Sequence, residues 1–185
     1  MVPKHGLLKT IGGGSAIFTF LILSCSMRLA AQQEHATGDW NAWKFLIGEW
    51  VGTGTGNPGE GSGGFTFTPD LQNAVLVRKN IARYPATASQ PAFVHEDLMM
   101  IYRRKAETRA VYFDSEHHII AYGVSFSPDS NSIVFTSDTV VGDARYRLTY
   151  KKSGDRTVDI VFEIAPPGQP EAFAHYITAS ARKKE

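Results

Sequence analysis

The residues of this sequence that could carry chemistry are mainly histidines next to carboxylates. One group brings two imidazoles and two carboxylates together along the chain: Asp114, Glu116, His117 and His118. Imidazole and carboxylate suit zinc and similar ions. However, adjacent residues of a strand point to opposite faces, and Asp114-Ser115-Glu116 has the composition of a hairpin turn. We therefore interpret this group as a solvated turn rather than a metal site.

A second group, His95-Glu96-Asp97, lies within a stretch rich in apolar residues. Alternation along a strand places His95 and Asp97 on one face and Glu96 on the other. One of the two sets could enter an interior cavity and orient a polar group of a ligand. The alternative is a buried, hydrogen-bonded pair or a pair on the outer face. His95 is therefore a candidate ligand-binding residue.

Three more residues are candidates for lining a cavity: Arg78, Met100 and Tyr102. An inward Arg78 would pair with an anionic head group, because a buried arginine needs a partner. One of Met99 and Met100 should face the interior, where a thioether adapts to irregular ligand shapes. Tyr102 could line a pocket with its hydroxyl, although tyrosines are also normal strand residues.

No arrangement for nucleophilic catalysis is present in the sequence. It has no Gly-x-Ser-x-Gly elbow, and the single cysteine, Cys25, lies in residues 1–31, the predicted export signal. The 19 basic and 18 acidic residues are spread without a block and give a formal net charge of +1, which provides no basic surface for nucleic acid. A non-enzymatic role without a nucleic-acid partner is favoured.

The elements that must position these residues are β-strands. From residue 46 onward, apolar residues recur with a period near two and turn residues arrive about every 8–12 residues. Ten strands are predicted, at 46–56, 65–70, 74–83, 93–103, 109–114, 119–127, 132–137, 144–151, 157–164 and 173–182. Short turns favour sequential antiparallel pairing, and closure into an up-and-down β-barrel buries the apolar face. A two-sheet sandwich is the alternative, and the glycine-rich segment 57–64 is expected to be a loop.

The chain divides into an export signal, a leader and one domain. Residues 1–31 have the order of an export signal, with positive charges, an apolar stretch and then small residues. Residues 32–45 form a leader that runs into a short amphipathic helix expected over 40–47, and residues 46–182 form the barrel. The predicted location is periplasmic or secreted, without a transmembrane segment after processing. Cys25 offers a lipoprotein anchor as the alternative.

The first predicted strand carries a motif found in known barrels. Gly48-Glu49-Trp50 resembles the Gly-x-Trp of lipocalins and fatty-acid-binding proteins, in which the tryptophan plugs one end of the barrel. The longer run Gly48–Gly56, followed by Phe65-Thr66-Phe67, is similar to that of nitrobindin-type haem-binding barrels. Segment 91–103 also resembles a nitrobindin strand. The resemblance implies a calycin-like β-barrel with Trp50 at one end of its cavity.

The same resemblance implies a haem site. His175 on the last strand stands where nitrobindins place their proximal haem ligand, which implies bound haem b and a reaction with nitric oxide or peroxynitrite. The chain departs from that family in its export signal and in lacking a pair of adjacent histidines at this position. The register of the last strand decides whether His175 faces inward with Phe173 and Ile177, or Tyr176 does so instead.

Three functions follow from these observations. The first is an exported, non-enzymatic binding protein that holds a small apolar or amphipathic molecule inside the barrel, with Trp50 closing the cavity. The second is a nitrobindin-like haem protein in which His175 binds the iron. The third is a structural or interaction domain of the cell envelope. The pattern leaves the oligomeric state open.

Overall fold

Ten antiparallel strands close into a barrel in the computed structural model, which describes residues 39–185. The strands are β1 Gly48–Gly56, β2 Gly61–Asp70, β3 Val75–Tyr84, β4 Phe93–Arg104, β5 Glu107–Asp114, β6 Ile119–Phe126, β7 Ser132–Ser137, β8 Arg145–Lys152, β9 Thr157–Ala165 and β10 Ala174–Lys183. Each strand pairs with its neighbours in sequence, and β1 pairs with β10 to close the barrel. The predicted all-β, up-and-down barrel is confirmed. The predicted export signal, and the leader up to residue 38, lie outside the described residues.

Side chains alternate between the interior and the outer face of the barrel. On β8, Leu148 and Tyr150 are buried inside, whereas Arg147, next to Leu148, lies outside and pairs with Glu163 of β9. This alternation is the period-two pattern from which the strands were predicted. The inward face of β8 is therefore the apolar one.

Glycines let the first two strands pass close to their neighbours. The expected loop over 57–64 is corrected by the structure, because β2 already begins at Gly61. A Cβ on Gly63 would lie 2.0 Å from the carbonyl oxygen of Ile81, and one on Gly64 would lie 2.4 Å from that of Trp50. No side chain fits at such distances, so glycine permits strand pairing here rather than preventing it.

The segment before β1 crosses one end of the barrel. Instead of the helix expected over 40–47, it forms one short 3-10 helix, Asn41–Trp43, and enters β1 at Gly48, which has a φ of +123°. Glycine adopts this backbone readily, and the chain turns there instead of continuing a helix. The Trp40 indole Nε1 donates a hydrogen bond of 2.9 Å to the carbonyl oxygen of Asn73 in the β2–β3 turn. No helix in the described part of the chain is long and apolar enough to cross a membrane.

Aromatic side chains fill the barrel at this end, which we call the closed end. Trp43 is buried there and packs edge-on against Phe135, with ring centroids 5.8 Å apart. Trp50 stacks on Phe65 at 5.7 Å, and its indole Nε1 donates a 2.8 Å hydrogen bond to the carbonyl oxygen of Leu46. The closed end is a packed core, in which Trp50 is a structural plug.

Candidate functional site

The other half of the barrel encloses a cavity of about 650 Å³. It opens at the end where the β1–β2, β3–β4, β5–β6 and β9–β10 connections meet, which we call the mouth. Small inward residues leave the space empty: Gly52, Gly54, Gly63, Ala82 and Ala179. A cavity of this size and concavity is typical of small-molecule sites.

One side of the cavity is apolar. Its lining, which we call the apolar wall, comes from β8, β9 and β10 and comprises Tyr146, Leu148, Ile160, Phe162, Ile164 and Ile177. The rings of Tyr146 and Phe162 stack in parallel with centroids 6.0 Å apart, which gives this wall a flat aromatic surface. An apolar group of a ligand would lose its contact with water against this wall.

The opposite side of the cavity is a continuous hydrogen-bonded network. This polar wall comprises Arg78, Asn80, His95, Asp97, Tyr112, Asp114, Glu116 and His118, which lie on β3, β4, β5 and the β5–β6 turn. Its deepest part is the buried ion pair of Arg78 with Asp97, to which Asn80 Nδ2 donates a 2.8 Å hydrogen bond. The Arg78 guanidinium also lies 5.9 Å from the ring centroids of Phe65 and Tyr150, at the boundary with the closed end.

His95 connects the deep part of the polar wall to the mouth. Its Nε2 lies 3.3 Å from Asp97 Oδ2 and 3.1 Å from the Tyr112 hydroxyl. Its Nδ1 lies 2.7 Å from Glu116 Oε2 in the β5–β6 turn. The imidazole is therefore held between carboxylates on both sides, which fixes the orientation of the ring.

Asp114 anchors the mouth end of the polar wall. Its Oδ1 accepts hydrogen bonds from the backbone N–H groups of Glu116, at 3.0 Å, and His118, at 2.9 Å. Its Oδ2 accepts the Tyr112 hydroxyl at 3.2 Å and lies 2.8 Å from His118 Nδ1. The turn is thus organised around one carboxylate.

These contacts shift the protonation equilibria of the polar wall. The hydrogen bond to Asp97 and the charges of Asp97 and Glu116 raise the pKa of His95 in spite of the opposing effect of burial. Burial alone would raise the pKa of Asp114, but its hydrogen bonds with His118 lower it below the ordinary value. Burial raises the pKa of Tyr112, so its hydroxyl remains a hydrogen-bond donor. The network contains charged carboxylates next to a histidine that favours its protonated form.

Three of the predicted site residues point into the barrel. Arg78 and His95 line the cavity, and Trp50 lies in the closed end below it. The interaction expected for Arg78 is corrected by the structure: its charge is already neutralised by Asp97, so it is not a free partner for an anionic head group.

Met100 and Tyr102 do not line the cavity. Alternation on β4 turns His95, Asp97 and Met99 inward, and Met100 is 40% exposed on the outer face. Tyr102 shares that outer face. Met99 is the inward methionine of the pair, but it is buried in the packed core rather than in the cavity lining. Sequence alone identified the strand but not which methionine faces inward.

His175 lies on the outer wall of the barrel. Its side chain is 71% exposed, and its Nε2 lies 3.6 Å from Glu163 Oε1 on the outer face of β9. The register between β10 and β9 shifts between His175 and Ile177, so a β-bulge reverses the alternation there. Ile177 consequently lines the cavity while His175 does not. This position does not fit a haem inside the barrel with His175 as its iron ligand.

Several cavity residues escaped the sequence interpretation. Asn80 has no motif around it, and Asp114 with His118 was interpreted as a solvated turn. The turn assignment is correct, but the turn borders the cavity because β5 pairs with β4 and places Asp114 opposite Asp97. A prediction of the β4–β5 register would have found this group.

The fold and the cavity define a calycin-like β-barrel with a two-faced interior site. No protein-family model matches the sequence, and no curated protein sequence matches it. Among solved structures, the chain is similar to Rv2717c from M. tuberculosis, with a TM-score of 0.56, 15% identity, and coverage of 80% of this chain and 99% of that one. At this identity, the similarity establishes the fold alone.

Two further barrels also match. One is a de novo designed fluorescence-activating β-barrel, with 13% identity, a TM-score of 0.41, and coverage of 78% of this chain and 98% of that chain. The other is EF1p2_mFAP2b, solved bound to DFHBI, with 10% identity, a TM-score of 0.40, and coverage of 80% of this chain and 100% of that chain. These TM-scores indicate only a general likeness of architecture.

Proposed function

We propose that this chain is a non-enzymatic binding protein that holds one small amphipathic molecule in the cavity of its barrel. The observation that supports this proposal is the two-faced lining, with the apolar wall of β8–β10 opposite the polar wall of β3–β5. A purely structural barrel has no need of such a cavity, because side chains can fill a barrel interior completely.

The charges of the polar wall favour a particular ligand chemistry. Three carboxylates, Asp97, Asp114 and Glu116, outnumber the two cationic groups beside them, the Arg78 guanidinium and the His95 imidazole with its raised pKa, and Arg78 is already paired with Asp97. An anionic head group would face two further carboxylates at the mouth, whereas a neutral or cationic hydrogen-bond donor would be attracted to them. We propose that the ligand carries such a donor at one end and an apolar body that packs on the apolar wall.

A displacement assay with matched ligands tests the ligand class. Nile red, a neutral dye, reports occupancy of the cavity, and dodecylamine, dodecanol and dodecanoate compete with it in buffer containing EDTA. We expect the amine and the alcohol to displace the dye at concentrations at least about 10-fold lower than the carboxylate does. Equal displacement by all three, or preference for the carboxylate, would contradict the proposed ligand chemistry.

A cavity-filling variant tests the site itself. Ala179 lines the cavity on β10, whereas its neighbour Thr178 lies on the outer face. We expect Ala179→Phe to abolish Nile red binding by occupying the cavity, while the control Thr178→Phe binds the dye as the natural chain does. Retention of dye binding by Ala179→Phe in a folded protein would place the dye elsewhere and overturn the proposed site.

We also propose that the protein is exported, on the support of the signal-like order of residues 1–31. Fractionation of cells that produce the full chain tests this proposal: the barrel is expected in the periplasm or medium. A change of Cys25→Ser separates the two forms of export, because it releases a lipoprotein from the membrane but leaves a free secreted form unchanged. Retention of the chain in the cytoplasm would contradict export.

A further inference from the structure

The mouth of the cavity brings together three possible metal ligands from different elements. His95 lies on β4, Asp114 ends β5, and Glu116 lies in the following turn. One imidazole nitrogen and one carboxylate oxygen from each acidic residue all lie within 4.8 Å of one another. All three side chains border the cavity.

Hydrogen bonds to both of its oxygens hold the Asp114 carboxylate in a fixed orientation beside this group. Oδ1 is occupied by the backbone N–H groups of Glu116 and His118, at 3.0 and 2.9 Å. Oδ2 accepts the Tyr112 hydroxyl at 3.2 Å and lies 2.8 Å from His118 Nδ1. Ligating carboxylates in metalloproteins are typically held by hydrogen bonds in this way.

The supporting contacts of His95 follow the same principle. Its Nε2 is held by Asp97 Oδ2, at 3.3 Å, and by the Tyr112 hydroxyl, at 3.1 Å. This leaves Nδ1 directed at Glu116 Oε2, 2.7 Å away. A histidine that ligates a metal with one ring nitrogen usually has its other nitrogen fixed by a carboxylate or another polar group. Asp97 is buried and cannot turn away to solvent.

We propose that His95, Asp114 and Glu116 bind a divalent first-row transition-metal ion at the mouth of the cavity, with Zn²⁺ as the probe. Imidazole with carboxylates is a donor set that suits these ions, whereas Ca²⁺ and Mg²⁺ prefer oxygen ligands alone. His118, whose Nδ1 lies 2.8 Å from Asp114 Oδ2, supports that carboxylate from outside the group of three ligands. The ion would neutralise the carboxylates of Asp114 and Glu116 at the mouth.

Binding requires only a local exchange. The ion takes the place of the proton shared between His95 Nδ1 and Glu116 Oε2, and that proton is released to solvent. Bonds of about 2.0–2.2 Å to the ion place tetrahedral ligand atoms about 3.3–3.5 Å apart, so His95 Nδ1 and Glu116 Oε2, now 2.7 Å apart, must move apart to admit it. Glu116 is exposed in its turn, so its side chain is free to make most of that movement. This site goes beyond the proposed ligand-binding function and does not depend on it.

A Zn²⁺ titration of the full chain without a histidine tag, in competition with a chromophoric chelator, tests the proposal. We expect one equivalent of Zn²⁺ to bind, and His95→Gln and Glu116→Gln each to weaken binding by at least about 10-fold. Tyr112→Phe keeps all three ligands and removes the hydroxyl that positions His95 and Asp114. We expect it to weaken Zn²⁺ binding about 10-fold, the lower range for loss of such a supporting contact.

Matched controls separate this site from adventitious binding. Glu96→Gln removes a carboxylate from the outer face of β4, and His175→Gln removes the exposed histidine of β10; both should leave Zn²⁺ affinity unchanged. Circular dichroism confirms that each variant is folded. Absence of Zn²⁺ binding by the natural chain, or equal loss in the control variants, would overturn the proposal. Because the dye-displacement assays are carried out in EDTA, failure of either proposal is distinguishable from failure of the other.

Discussion

The two halves of the barrel interior are built from the same ten strands but are filled differently. At the closed end, Trp43, Trp50 and Phe65 pack into a core in which each is at most 5% exposed. At the mouth, glycine and alanine occupy inward positions of β1, β2, β3 and β10, and a cavity of about 650 Å³ remains. Strand alternation alone therefore does not decide whether a barrel is full or hollow; the size of the inward side chains does.

The difference separates stability from binding along the axis of the barrel. The closed end gains its free energy from burial of large aromatic rings. The mouth half holds its polar groups in place by pairing them with one another, from Arg78 through Asp97 to His95. Such a network adds little net stability but fixes the positions of donors and acceptors. Substitutions in the two halves should therefore have different consequences.

The largest loss of stability is expected from a substitution at the closed end. Trp43→Ala removes a buried ring that packs on Phe135, and should lower the free energy of unfolding by about 3–5 kcal/mol. Tyr146→Ala, at the half-buried rim of the apolar wall, should cost no more than about 1–2 kcal/mol, because cavity and solvent already border that ring. Urea denaturation measures both. If Trp43→Ala and Tyr146→Ala lowered the free energy of unfolding equally, the two halves would not differ in their contribution to stability.

The polar wall should contain one exception to its low stability contribution. Asp97→Leu leaves the Arg78 guanidinium buried without its partner and should lower the free energy of unfolding by about 3 kcal/mol. The double substitution Arg78→Met with Asp97→Leu removes both charges and should recover most of that loss. If the double variant is no more stable than the single one in urea denaturation, the cost does not come from the unpaired charge.

A smaller effect is expected from the glycines that leave the mouth half hollow. Gly63→Ala places a Cβ 2.0 Å from the Ile81 carbonyl oxygen, a backbone atom, and should lower the free energy of unfolding by about 1–3 kcal/mol. Gly123→Ala is the control, because its nearest neighbour is an arginine side-chain atom 3.6 Å away. Gly123→Ala should change the free energy of unfolding by no more than about 0.5 kcal/mol. Thermal unfolding at matched pH distinguishes the two, and a tolerated Gly63→Ala would contradict the steric explanation.

The smallest change in the free energy of unfolding is expected for a substitution on the outer wall of the barrel, which belongs to neither half of the interior. The bidentate hydrogen bonds from Arg147 lower the pKa of Glu163 below its ordinary value of 4.5. A carboxyl with a lowered folded-state pKa stabilises the fold above its unfolded-state pKa and loses that contribution as the pH falls through the folded-state value. At pH 6 the free energy of unfolding of the natural chain should therefore be about 1 kcal/mol higher than that of Glu163→Gln.

That difference should shrink as the pH falls below 4.5 and disappear in more acidic solution. Urea denaturation of both chains across this pH range measures it. A difference that is constant with pH would show that the ion pair is not its origin. Glu49→Gln, which removes an exposed carboxylate, is the matched control.

Much of the fold could be predicted from the sequence because local periodicity encodes it. The inward set of β8 and the outward position of Arg147 follow from alternation alone. The short turns then require sequential antiparallel pairing. The prediction failed at 57–64, where glycine content indicated a loop: the Cβ clearances show that the same glycines allow two strands to pair closely.

The candidate site was less predictable because it depends on register and on one irregularity. His95 and Glu116 are separated by 21 positions, and only the pairing of β4 with β5 brings them within 2.7 Å. The direction of His175, which the sequence left open, is set by a bulge between His175 and Ile177 that reverses the alternation. Neither feature leaves a local signal in the amino-acid sequence.

The pairing of β1 with β10 has a consequence for how the chain reaches its final form. The seam joins residues at opposite ends of the domain, such as Val51 and Arg182, so these contacts have the greatest sequence separation in the barrel. Contacts of this kind slow folding, because a long loop must close before they form. A nascent chain that lacks Ala174–Lys183 has two unpaired edges, on β1 and β9, and is exposed to aggregation until synthesis ends.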